Sequence, residues 1–221
     1  MKKVLSLVFV LAGLVLFNSC SKKIEEQNMQ YPMINPTKPD ANAGTWKPIL
    51  LTTANEFACP APIVTTSPDY IIQLNEIKSF QNQISNDERK LVEYWGAGAV
   101  LRWNEIMREL VALHNLPPYE NPDGTYPIPS ANNPLAYPTF PFANPPYAAR
   151  AYAYLSASQY DALVATYYYK QLYNRTAPFN VDATIQTLLP KSTLPSYPSE
   201  DAAVLGVSVE MLKLLFPGDQ D

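Results

Sequence analysis

The chain has 221 residues, a formal net charge of −4, one histidine and two cysteines. A single histidine excludes most metal centres and most histidine-based catalysis. No basic patch of the kind that nucleic acid needs is present, so nucleic acid is not expected as a partner. There is no glycine-rich phosphate loop, no nucleophile elbow, no cysteine pair at zinc spacing and no internal repeat.

The N-terminus reads as a processing signal. Lys2 and Lys3 precede an apolar run from Val4 to Phe17, which is short for a membrane span. Phe17-Asn18-Ser19-Cys20 resembles a bacterial lipobox, with Cys20 as the lipidated first residue of the mature chain. The alternative is an ordinary cleaved signal peptide. Ser21-Lys22-Lys23-Ile24-Glu25-Glu26 resembles the surface-export signal of certain lipoproteins. Residues 1–19 are thus the expected signal peptide, and residues 20–68, rich in Pro, Thr, Asn and Ala, the expected tether. Loss of Lys2 and Lys3 takes the charge from −4 to about −6. The expected location is the cell envelope, on the outer membrane and facing outward, with acyl chains as the membrane contact. If Cys20 is acylated, Cys59 has no partner for an internal disulfide. Cys59, in Phe57-Ala58-Cys59-Pro60, reads as a structural apolar cysteine.

The body, residues 69–221, reads as an all-α bundle joined by proline-rich loops. Leu74, Ile77, Phe80 and Ile84 recur at helical spacing and predict a helix over Asp69–Gln83, with those residues as its apolar face. Ser85-Asn86-Asp87-Glu88 has the form of a capping box. The helix it opens carries Leu91, Val92 and Trp95. Gly96 and Gly98 loosen the chain before a third helix with Trp103, Ile106, Met107, Leu110 and Val111 on one face. His114 closes that helix as a dipole partner or half-buried packing residue.

Leu116 to Tyr147 has too many prolines for a helix or a central strand. It reads as a long loop. Its Tyr126, Tyr137, Phe140 and Phe142 either clamp it to the bundle or face a substrate. Asn144-Pro145-Pro146 then starts a long helix, with Asn144 as cap, that runs to about Asn174. Asp161 interrupts its small-residue pattern, either facing solvent or buried and paired to another helix. Tyr167, Tyr168 and Tyr169 fall on three faces. A short helix is expected over Val181–Leu189. A last one is expected over Ser199–Leu215, with Val204, Val207, Met211, Leu212 and Leu215 inward.

Two stretches near these helix ends carry a pattern. Lys170-Gln171-Leu172-Tyr173-Asn174-Arg175-Thr176-Ala177-Pro178 keeps the Lys and Pro of a K-x6-R-P motif, with Ala177 at the arginine position and Arg175 two residues earlier. Pro198-Ser199-Glu200-Asp201 keeps the first half of P-S-G-H. Together with the Trp95 and Trp103-Asn104-Glu105-Ile106 segments and Asp161-Ala162, they resemble the phosphatidic acid phosphatase type 2 / vanadium haloperoxidase superfamily. The resemblance covers about Asp69 to the end.

That resemblance implies an all-α bundle that holds phosphate, or vanadate as its mimic. On this chain the expected phosphate-binding residues are Lys170, Arg175 and Ser199. Asp201, at the family's histidine position, is the expected catalytic group, as a general acid if its pKa is raised. No metal site is expected. The family's third motif, S-R-x-x-x-G-x-H, supplies its nucleophilic histidine and has no counterpart up to Asp221, so the domain reads as incomplete at its C-terminus. The expected function is that of a phosphoester-hydrolase-like surface lipoprotein acting on a phosphate-bearing small molecule, inactive or weak as this chain alone. The alternative is a non-catalytic surface lipoprotein that binds glycan or protein through the aromatic loop, because aromatics give large contact area at low entropy cost.

Overall fold

The computed structural model describes residues 31–35, 39–114, 120–125, 132 and 145–219. The expected signal peptide, Cys20, the Asn144 cap and the loop aromatics Tyr126, Tyr137, Phe140 and Phe142 lie outside the described residues. The described residues form an all-α structure without strands. Its helices are α1 (Pro68–Gln83), α2 (Asn86–Trp95), α3 (Ala99–Leu113), α4 (Pro145–Tyr173), the single turn α5 (Pro178–Val181) and α6 (Glu200–Leu215). Among the described residues no helix is long and apolar enough to cross a membrane.

Local chemistry sets the helix ends. Ser67 caps α1 by accepting the Tyr70 N–H at 3.2 Å, and Pro68 occupies the first helical position, where its missing N–H is harmless. Ser85 and Glu88 form the expected capping box on α2: the Ser85 hydroxyl accepts the Glu88 N–H and the Glu88 carboxylate accepts the Ser85 N–H at 2.7 Å. Long helix α4 stops at Asn174, whose φ of 43° is a left-handed conformation that asparagine tolerates well. The helix expected over Val181–Leu189 does not form. A single turn, Pro178–Val181, stands before it. Asp182 accepts the Thr184 N–H at 2.9 Å, and this local side-chain bond competes with continued helix.

The main core sits where α3, α4 and α6 meet. Met107 and Val111 pack with Ala151, Leu155, Leu212, Leu215 and Phe216. Met107 and Leu155 are fully buried, each contributing on the order of 1.5–3 kcal/mol. Trp103, Ile106 and Leu110 pack at its edge, so the apolar face expected on α3 is the one used. Gln159 crosses this interior as a polar bridge, accepting from Asn104 at 3.0 Å and donating to Ser208 at 2.9 Å. A smaller cluster joins Tyr70 and Leu74 of α1 to Ile185. The inward face of α1 therefore runs through Tyr70, Leu74 and Ile77. Phe80, expected inward, is 64% exposed and borders an open cleft between α1 and residues 186–188.

The expected tether is, over residues 39–67, part of the folded body. The chain runs along α4 in one direction and returns in the other. Gln171 donates to the Ala41 carbonyl, a single 3-10 turn at Ala43–Thr45 packs on α4, and Tyr160 donates to the Lys47 carbonyl at 3.1 Å. Asp161 then holds the bend, accepting N–H groups from Ile49, Leu50 and Leu51 at 2.7, 2.6 and 2.7 Å. On the way back, Tyr169 donates to the Phe57 carbonyl at 2.9 Å and Tyr173 to that of Cys59. Asp161 is 3% exposed, yet its partners are backbone groups of this strap and not another helix. The strap stays ordered although its composition is tether-like, because its backbone polar groups are satisfied by side chains of α4.

Candidate functional site

The C-terminal end of α4 and the loop leading into α6 meet, and side chains on both sides hold them. Lys170 lies in the last turn of α4 and is 3% exposed. Its ammonium donates to the Pro195 carbonyl at 2.6 Å and pairs with the Glu200 carboxylate at 2.8 Å. Ser196 donates its N–H to the Arg175 carbonyl at 2.9 Å and its hydroxyl to the Thr176 carbonyl at 3.2 Å. Tyr197 donates to the Pro60 carbonyl at 2.9 Å, and its ring lies 5.9 Å from that of Tyr173. Four segments thus converge here: the strap, the end of α4, the 195–199 loop and the start of α6.

Ser199 begins α6. Its backbone is extended and its hydroxyl oxygen accepts the Ala202 N–H at 3.2 Å. That satisfies one of the orphan donors of a helix start and leaves the hydroxyl hydrogen to donate elsewhere. Glu200 and Asp201 fill the first turn, where the helix dipole favours acids. Glu200 does more than complement the dipole, since it is the ionic partner of a buried lysine from another helix. Asp201 is exposed as a residue, but its carboxyl is pushed above the ordinary range. Partial removal from water is the main cause and the Glu200 charge the second, with Lys170 acting against both.

Arg175 is committed elsewhere. It donates to Gln73 of α1 at 3.0 Å, and its guanidinium lies over the rings of Tyr70 and Tyr197, 4.8 and 5.8 Å from their centroids. Its Nε is buried without a hydrogen-bond partner among the described residues. Of the four residues that the sequence singles out, the fold gathers Lys170, Ser199 and Asp201 around Glu200. The Arg175 guanidinium is turned to α1 and Tyr197, and only its backbone carbonyl holds the 195–199 loop.

A cleft of about 340 Å³ opens beside Glu200 and Asp201. Trp95, Leu163, Tyr167 and Val204 form much of its apolar wall. Burial raises the Tyr167 phenol, helped by the charges of Glu200, Asp40 and Asp201, so this side of the site is acidic. Sequence reasoning did not find Tyr167 and Trp95 as cleft residues or the Pro195 carbonyl as a lysine acceptor. No spacing rule links them, since they reach the site from α2, α4 and a loop. Among the described residues no group of three or more His, Cys, Asp or Glu could hold a metal ion. His114 is not part of this site. Its Nε2 lies 2.7 Å from Asp219, past the opposite end of α6. That helix of 16 residues is about 24 Å long.

Compared with protein-family models, with curated proteins and with solved structures, the chain matches none of them.

Proposed function

We propose that this chain is an envelope-anchored, phosphoester-hydrolase-type protein whose anion seat is built on Lys170 and Ser199. The observation that carries the reading is the Lys170 ammonium, 3% exposed and facing the start of α6. A buried cation beside a helix N-terminus favours an oxyanion through both charge and backbone N–H groups. Ser199 would donate its hydroxyl to one ligand oxygen. Asp201, whose carboxyl is pushed above the ordinary range, is the group that would pass a proton to a leaving oxygen when it is protonated. Arg175 would support the seat indirectly, by holding the 195–199 loop through its carbonyl and Tyr197. Phosphate, or vanadate as its mimic, is the ligand class. The acyl group on Cys20 would supply the membrane contact, and fatty-acid labelling that survives Cys20→Ala would refute that part.

Turnover by this chain alone should be weak or absent. The one histidine is tied to Asp219, away from the seat, so no imidazole is at hand to attack phosphorus. The test is hydrolysis of an aryl phosphate by the full chain, with binding of inorganic phosphate measured alongside. The expected result is phosphate binding weakened by Lys170→Met and by Ser199→Ala, with hydrolysis at or near background. Binding indifferent to both substitutions would overturn the seat, and hydrolysis abolished by Ser199→Ala would overturn the weak-turnover expectation.

A further inference from the structure

We infer that Glu200 is a displaceable plug: its carboxylate sits on Lys170 in place of the ligand, and an incoming phosphoryl group must push it aside. The inference rests on the anion seat proposed above and adds its regulation. Three observations carry it. First, the pair is asymmetric. The Lys170 side chain is 4% exposed, whereas that of Glu200 is 33% exposed. Lys170 is also tied to the Pro195 carbonyl, while among the described residues the Glu200 carboxylate has no partner besides Lys170. If one partner moves, it is Glu200.

Second, there is somewhere for it to go. Glu200 also lines the 340 Å³ cleft, whereas Lys170 does not. A turn about its side-chain bonds carries the carboxylate into that space without disturbing the Ser199 cap, which is a bond of Ser199 and Ala202. Third, charge decides which ligands can make the exchange. Asp201 lines the same cleft, and the charges of Asp201 and Asp40 act on its Tyr167 wall, so Glu200 moves toward like charge when it leaves Lys170. A neutral ligand offers nothing in return. A single carboxylate merely replaces one charge by its equal. A phosphoryl dianion gains more from Lys170 than Glu200 does and can hold the plug open. An ester whose organic part carries further negative charge would meet Asp201, so the favoured class is a phosphomonoester with an uncharged organic group.

The experiment is a calorimetric titration of the full chain in detergent with inorganic phosphate, repeated for Glu200→Gln, Glu200→Asp and the double variant Lys170→Met/Glu200→Gln. Thermal unfolding of each variant monitors the fold. Glu200→Gln should bind phosphate roughly tenfold tighter than the parent or better. Glu200→Asp, which keeps the charge but is one methylene shorter, should fall between them, and the double variant should lose binding. If Glu200→Gln does not fold, Glu200→Asp decides, and parental affinity in it overturns the plug. Equal binding by the parent and Glu200→Gln, lost in the double variant, overturns the plug and leaves the seat standing. Absence of binding in every form overturns the seat and the plug with it.

Discussion

Asp161 and Leu50, 111 positions apart, are joined by a hydrogen bond of 2.6 Å from the Leu50 N–H to Oδ2. The same carboxylate takes the N–H groups of Ile49 and Leu51. A buried acid on the long helix therefore works as a backbone clamp. It turns a proline- and threonine-rich segment into a strap that runs out and back along α4.

Removing that clamp should release the strap. Asp161→Ala leaves three N–H groups without their acceptor, and hydrogen bonds to a charged group contribute about 1.5–3 kcal/mol each before relaxation. Because water can reach the released bend, a net loss of about 3 kcal/mol is expected. Urea unfolding measures the loss. Limited proteolysis should show new cleavage between residues 49 and 57, and a strap that remains uncut would count against the clamp.

At Gly44 the backbones of strap and helix approach closely. A Cβ built there would lie 2.5 Å from the Tyr168 Cα and 2.6 Å from the Tyr167 carbonyl carbon. Backbone cannot yield as a flexible side chain does, so Gly44→Ala should push the 3-10 turn off α4 and cost about 1–3 kcal/mol. The midpoint of thermal unfolding tests this. An unchanged midpoint would mean that the strap does not bear on stability.

Two acids give stability opposite dependences on pH. Asp182 accepts from the Thr184 side chain, Lys78 and the Thr184 backbone, which together lower its pKa from 3.8 to about 2. The folded state thus releases this proton more readily than the unfolded chain does. Its contribution is fully present above about pH 4 and is lost as pH falls toward 2. Asp201 is shifted upward, mainly by desolvation, so the folded state holds this proton more tightly. Its effect is a loss of stability as pH rises through the range just above its ordinary value of 3.8. Unfolding midpoints of Asp182→Asn and Asp201→Asn against pH should flatten the acid limb and the opposing limb respectively. Parallel profiles for parent and variants would refute both assignments.

Much of the helix layout was legible in local chemistry. Ser85 and Glu88 announce the start of α2 because a capping box is made within four residues. Pro145 announces α4 because proline suits a first helical position. The inward face of α3 follows from the spacing of Trp103, Met107 and Val111. Legibility fails where the deciding partner is distant. Phe80 has helical spacing but borders an open cleft. The 182–185 segment has helical composition, but Asp182 bends back on Thr184.

By itself, then, the sequence determined the all-α class, most helix boundaries and the residues Lys170, Ser199 and Asp201 as candidates for one site. The class and the boundaries depend on interactions within a few residues, whereas the three site candidates rest on a motif resemblance over two separate stretches. Tertiary structure alone decided that residues 39–67 form a strap and not a tether, that the Arg175 guanidinium turns to Gln73 and Tyr70, and that Glu200 closes over Lys170. Those outcomes depend on backbone groups and side chains 30 to more than 100 positions apart. Burial of Lys170 and Asp161 makes such distant pairings obligatory, because a charge removed from water must find a partner wherever the fold provides one.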